Sequence, residues 1–206
     1  MRKSILTEAD YNLFYKSIIY GNVNDSIKSS IKSAYRDVCR TITGFSKIEN
    51  HDNILNNASS LLYIEINSLL TKIIKEQSDF DKWHKECCDK LIKTFDKQLF
   101  TYGQAQKWIN MSLKNLSMLE HQLIEKQYEF FHVPIDNYIV DITGIKISVA
   151  WSRISNYDEY IEFQNKFRDI YDGIPLDNEF KLWLKATRNI RNFNYVELEC
   201  SLKNSN

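Results

Sequence analysis

The chain has 206 residues, and its 27 Lys plus Arg balance 27 Asp plus Glu to a formal net charge of zero. That length suits one sizeable core and is too short for a large multidomain assembly, while neutrality removes any global pull toward nucleic acid or membrane, so such binding must use a local patch. With 43% hydrophobic and 13% aromatic residues but only 5 Gly and 2 Pro, the chain is neither collagen-like nor wholly disordered, and turn-formers are too rare for a many-stranded sandwich or barrel.

Thr7 with Asp10 three residues on reads as a capping box. Tyr11, Phe14, Tyr15 and Ile18 follow at helical spacing until Gly21. Asn24 or Asp25 caps a second helix whose stripe is Ile27, Ile31, Ala34, Tyr35, Val38 and Ile42, with Gly44 as terminator. Residues 45–58, polar and rich in Asn, read as an exposed connector. From Ser59 to Lys75, Leu62, Ile66, Leu69, Leu70 and Ile73 define a core helix. Ser78 caps the next, which carries Phe80, Trp83, Cys87, Leu91 and Phe95.

The block 103–119 places Ala105, Trp108, Ile109, Leu113, Leu116 and Leu119 on one side and Lys107, Asn110, Met111 and Lys114 on the other, expected wet, side. Pro134 suits the first position of a further helix, with Ile135, Ile139 and Ile142 inward and Asp136 in its first turn. Residues 145–151 alternate apolar and polar side chains, as a short strand or an extended crossing would. Ser155 with Asp158 opens a helix bearing Tyr160, Phe163, Phe167 and Ile170. Gly173 and Pro175 interrupt it, and Asp177 caps a last helix with Phe180, Trp183 and Leu184. The expected fold is mostly α, a single compact domain over residues 1–194 with a loose tail at 195–206.

No run approaches the roughly eighteen apolar residues that cross a bilayer, and the start turns acidic before an apolar signal core develops. A cytoplasmic monomer with no membrane partner is expected. Cys39, Cys87, Cys88 and Cys200 include an adjacent pair that diverges on a helix and no CxxC spacing, which favours reduced thiols over a disulfide framework. His84 and Cys88 have the spacing of two zinc ligands on one helix face, but no second pair accompanies them, so no metal is expected.

The tightest chemical cluster is Tyr102-Gly103-Gln104-Ala105-Gln106-Lys107-Trp108, a glycine-marked turn running into a helix, followed later by His132-Val133-Pro134-Ile135-Asp136. Together they suggest an amine and a carboxylate converging. Across about residues 100–185 the chain resembles the helix-hairpin-helix DNA glycosylase superfamily, and within it the archaeal 8-oxoguanine DNA glycosylase branch. There a turn and helix carrying a lysine precede a helix that begins close to a catalytic aspartate. Pro175-Leu176-Asp177 and Trp183 stand where that branch has a later Pro-Leu segment and tryptophan. The family's hairpin has two glycines before its lysine; this chain has Gly103 and then Ala105.

The resemblance implies two helical lobes, roughly 1–99 plus the C-terminal helices and 100–150, with a cleft for DNA between them. It implies excision of an oxidised purine or a hypermodified phage base, in base-excision repair or antiviral defence, without metal or organic cofactor. Flipping a base out of duplex requires a pocket walled by aromatic and apolar groups, for which Trp108, Trp151 and Trp183 are candidates, with His132 at its edge. Cleaving the bond from base to sugar builds positive charge on the sugar, so an ionised carboxylate is needed, and Asp136 fits. A lysine amine lowered toward neutral pKa can attack the sugar carbon as a Schiff-base nucleophile, and Lys107 is the nominee. If Lys107 points outward, Asp136 could instead activate water.

For DNA anchoring, backbone amides from Gly103 to Ala105, the flanking Gln104 and Gln106, and Lys114 are candidate phosphate contacts. Lys181, Lys185, Arg188 and Arg191 recur every three or four residues as a cationic rail. Each feature also has a structural explanation: a wet-face lysine, a first-turn acid, core tryptophans, a solvated charged flank. Two other classes therefore stand beside the glycosylase, a non-catalytic helical DNA- or protein-binding module of a defence or mobile-element system, and a metal nuclease, whose acidic cluster is not visible in the sequence.

Overall fold

Capping residues set most of the helix starts. In the computed structural model, which describes residues 6–95 and 99–187, the Thr7 hydroxyl and the Asp10 carboxylate close a reciprocal capping box on α1 (Glu8–Tyr20). Asp25 caps α2 (Ser26–Val38) by accepting from the Lys28 amide. Thr101 and Gln104 form a second capping box at α5 (Tyr102–Met118). Between them lie α3 (His51–Thr71) and α4 (Gln77–Phe95), and beyond them α6 (Asn137–Thr143), α7 (Tyr157–Ile170) and α8, residues 175–187. Short 3-10 turns link several of these, and no strand occurs among the described residues, so the fold is all-helical. Among the described residues, no helix is long and apolar enough to cross a membrane.

Helix α5 is the axis. It packs against α2, α4, α7 and the turn Trp151–Arg153, while α3 closes the far side against α2 and α4. A continuous cluster of buried side chains runs from Ile27 to Leu176. Because α5 is covered on all sides, its expected wet face is dry: Lys107, Asn110 and Lys114 are buried along with Trp108 and Leu113. Amphipathic patterning misleads here because the polar residues meet polar partners inside the protein.

Other elements depart from the sequence expectation for local reasons. The supposed connector 45–58 already contains the first turns of α3 and buries Phe45 and Ala58, since Ile54, Ala58 and Leu62 keep a four-residue period beneath the asparagines. Helix α3 ends at Thr71, which leaves Ile73 exposed in the bend that follows. Ser78 lies within α4, and Asn156, not Ser155, caps α7. Pro134 is extended, one stretch ahead of α6, whose cap is Asp136 itself. Pro175 opens α8 and Asp177 lies in its first turn, accepting from the Tyr128 hydroxyl. Residues 145–151 form neither a strand nor a straight crossing: the chain bends at Ser148 and Val149 and enters the 3-10 turn at Trp151. The α1 stripe does not enter the core: Phe14, Tyr15 and Ile18 are 61%, 59% and 64% exposed. Arg188, Arg191, Cys200 and the tail lie outside the described residues; Cys39, Cys87 and Cys88 are free thiols.

Gly103 is a packing residue. Its amide donates to the Ile154 carbonyl at 3.0 Å, and a Cβ there would sit 1.8 Å from the Trp151 carbonyl oxygen. Two rigid backbones meet with no side chain between them. Gly103→Ala is therefore expected to destabilise the fold by about 2–3 kcal/mol in urea unfolding; an unchanged midpoint would contradict this packing.

Candidate functional site

The extended segment 131–136 passes through the interior between α5 and α7, where its backbone groups have no water to bond. Two buried glutamines supply partners. Gln164 of α7 accepts from the Val133 amide at 2.9 Å and donates to the Val133 carbonyl at 2.8 Å, as a neighbouring strand would. Gln106 of α5 accepts from the Ile135 amide and donates to the Ile135 carbonyl, both at 3.2 Å. This two-point clamp fixes where the segment leaves the core, and it leaves at Asp136.

Asp136 then divides its oxygens. Oδ1 accepts from the Ile139 amide at 2.9 Å, capping α6, and Oδ2 meets the Lys107 ammonium at 2.7 Å. The pair is largely removed from solvent, with 6% of the Lys107 side chain and 19% of that of Asp136 exposed. The Trp151 ring lies 6.0 Å from Lys107 Nζ. The sequence placed Asp136 in the first turn; at the cap it faces back toward α5.

Two turns along α5, Lys114 forms a second buried ion pair with Glu179 of α8, at 2.5 and 2.8 Å. Its ammonium stands 4.4 Å from the Phe180 ring centre and 5.9 Å from that of Trp183. Burial pushes the Glu179 carboxyl above its ordinary value, while Lys114 and the more distant Lys107 pull it back and Asp136 pushes it further up. The Glu179 carboxyl thus feels both members of the Lys107–Asp136 pair, and the two pairs have Trp151, Phe180 and Trp183 beside them.

Behind the clamp lies a second polar network. His132 is sealed from solvent, with Nε2 2.7 Å from Asp81 Oδ1 and Nδ1 2.6 Å from the Tyr160 hydroxyl. Desolvation holds His132 down at about 4, with Arg168 acting the same way and Asp81 opposing. The neutral ring, assigned from these bonds, donates from Nε2 to the carboxylate and accepts from Tyr160 at Nδ1. Asn110 donates to the same hydroxyl at 2.9 Å and accepts from His84 Nε2 at 3.0 Å. Burial raises Asp81, but its bonds from His132 and Gln77 and the charge of Arg168 outweigh that and hold it below the usual carboxylate range.

The structure thus brings together Lys107, Asp136 and Trp151, with Lys114 and Trp183 nearby. It separates others. Trp108 is fully enclosed, donating to the Ile31 carbonyl at 3.0 Å and packed among Tyr35, Phe95 and Phe100, so no face remains for a base. His132 has both ring nitrogens engaged in the interior. The amides of Gly103, Gln104 and Ala105 are bonded to Ile154, Thr101 Oγ1 and Thr101, and Gln104 Nε2 donates to the Thr41 carbonyl, so this helix start is filled by the protein's own groups. Lys114 faces Glu179, and Gln106 serves the clamp, in place of phosphate contacts. Lys181 and Lys185 are exposed on α8; Arg188 lies outside the described residues. His84 and Cys88 approach to 3.7 Å, and no group of three or more metal-ligating side chains occurs among the described residues.

Glu179, Gln164, Asp81 and Tyr160 were not singled out by sequence reasoning. Glu179 and Gln164 carried a signal: each is a polar residue interrupting the apolar stripe of its helix, beside Leu176 and Phe180 or Phe163 and Phe167. Comparison with protein-family models, curated proteins and solved structures finds no match for the chain.

In the unfolded chain His132 protonates near pH 6.5, whereas the folded protein keeps it neutral down to about 4. Between those values the unfolded state binds more protons, so stability rises with pH. Acidifying across that window should remove roughly 3 kcal/mol of unfolding free energy, and His132→Gln should flatten the slope. A wild-type and variant difference independent of pH would contradict the buried neutral ring.

Proposed function

We propose that the chain is a cytoplasmic DNA glycosylase that excises a modified base, with Lys107 as Schiff-base nucleophile and Asp136 as the carboxylate that serves it. The observation that carries this reading is the 2.7 Å contact of a lysine amine with a helix-capping carboxylate in a largely dry setting beside Trp151. The resemblance of residues 100–185 to helix-hairpin-helix glycosylases rests on the same two residues.

In the mechanism, the Lys107 ammonium gives a proton to Asp136 when a flipped nucleotide enters, and the neutral amine attacks the C1′ carbon. The new C–N bond forms as the bond to the base breaks. The base departs with the bonding electrons and takes the proton held by Asp136, and sugar ring opening, with an N–H proton of the adduct passing to the ring oxygen, converts the adduct to a protonated Schiff base. β-Elimination then breaks the 3′ C–O bond of the strand. Asp136, re-ionised by protonating the base, faces the positive charge of the Schiff base and takes the C2′ proton that β-elimination removes. Trp183, 40% exposed, is the aromatic surface left for the base, since Trp108 is enclosed and only 8% of Trp151 reaches solvent. DNA lies across a cleft between helical lobes, with Lys181 and Lys185 as its cationic rail. An oxidised purine or a hypermodified phage base is the substrate class.

A second reading, a non-catalytic helical binding module, draws on the near-complete enclosure of Lys107 and the filled amides at the start of α5. In it the ion pair is a structural fastening.

Incubation with duplexes carrying 8-oxoguanine or other modified bases separates the two. The enzyme reading expects alkali-labile sites and a borohydride-trapped protein–DNA adduct that Lys107→Gln abolishes. Asp136→Asn should slow base release on the order of 100-fold or more. Absence of alkali-labile sites with every duplex, or an Asp136→Asn rate equal to wild type, would overturn it.

A further inference from the structure

Helix α1 presents an apolar stripe to solvent. Phe14, Tyr15 and Ile18 lie on one face, flanked by Leu13 and Ile19, and each is about half exposed or more. Helix α1 is pinned through its other side, by the Tyr20 hydroxyl to Met118 Sδ at 3.2 Å, Lys16 to Glu120 at 2.9 Å, and Arg36 to the Ile19 carbonyl at 2.6 Å. Contiguous apolar surface of this size on a surface helix marks a docking face. The same chain carries a groove of about 740 Å³ between α2 and α3, lined by Ile31, Tyr35, Leu55 and Ile64 among polar residues that include Asp25, Lys28, Lys32 and Ser60.

We propose that two copies of this chain form a two-fold dimer in which α1 of each lies in the α2–α3 groove of the other. Three observations select a second copy as the occupant. First, size fits: an apolar cavity of roughly 150 Å³ holds one benzene-sized group, so the groove has room for Phe14, Tyr15 and Ile18 together. Second, charge fits on balance: Glu8 and Asp10 open α1, and the groove's edge sets Lys28 and Lys32 against the single acid Asp25. Third, area fits. Each exposed α1 side chain offers on the order of 100 Å². Matched by the groove and doubled by symmetry, that gives roughly 1,200–2,000 Å², the range of stable specific interfaces. Each copy has one helix to give and one groove to fill, so two contacts close the assembly and no surface is left to propagate. The contacts that pin α1 to its own chain leave its stripe facing outward. This assembly is independent of the base-excision reading and replaces the monomer expected from the sequence.

The test is mass in solution, by light scattering or sedimentation over micromolar to submillimolar concentration. The full chain should run at twice 24.4 kDa. Phe14→Asp or Ile18→Asp on the helix, and Ile64→Asp in the groove, should each weaken association roughly 100-fold with an unchanged far-UV spectrum, because all three positions are already exposed. Mixing a helix variant with the groove variant restores one intact helix–groove contact and should restore a dimer that neither forms alone. A wild-type mass of 24.4 kDa at every concentration would overturn the proposal. So would a helix variant that stays dimeric, a mixture that stays monomeric, or a monomer that floats with lipid vesicles through α1.

Discussion

A stretch of extended backbone running through the middle of a helical protein is the constraint on which the structure turns. Each amide or carbonyl buried there without a partner would cost about 1–3 kcal/mol. The chain meets this with side chains, not with a sheet: Gln164 pairs with both polar groups of Val133 and Gln106 with both of Ile135. The clamp requires α5 and α7 to flank the segment at fixed distance, and it aims Asp136 at Lys107. Position at the site is thus inherited from hydrogen-bond satisfaction in the core.

The charges near the clamp follow a different logic. Helix α5 buries two lysines, each against a carboxylate from a later element, Asp136 at the α6 cap and Glu179 in α8. Taking an ammonium and a carboxylate out of water costs several kcal/mol per ion, which their attraction offsets only with good geometry, so a buried pair is weak evidence for stability as a purpose. The two pairs, seven residues apart on α5, gather this buried charge along one face of the helix beside Trp151, Phe180 and Trp183. The mostly apolar environment also means that losing one partner leaves the other charged and unpaired, so the site stands or falls as a unit.

Much of the fold was legible because caps and periodicity are local. Thr7, Asp25 and the Leu62 to Leu70 stripe act where they stand, whereas α2 ends at Val38, ahead of the expected stop at Gly44, which instead opens the 3-10 turn Phe45–Lys47. The meeting of Lys107 with Asp136 was legible from two short segments that each mark a helix start. What the sequence misplaced depends on the third dimension. Polar residues of α5 look wet until the α6 cap, α7 and α8 provide their partners; Trp108 looks available until Ile31, Tyr35 and Phe100 surround it. The α1 stripe looks like core because the same spacing serves a core or a partner. Glu179 and Gln164 needed distant partners to acquire meaning, and no local pattern names those partners.

Lys107 and Asp136 interact directly, in a setting dry enough for the interaction to count. A double-mutant cycle in urea unfolding, with Lys107→Met, Asp136→Asn and the pair together, measures this. The asparagine keeps an oxygen for the Ile139 amide, so the cycle isolates the charge. Direct contact predicts a coupling of about 2 kcal/mol between the two sites. Additive effects, with coupling near zero, would contradict it.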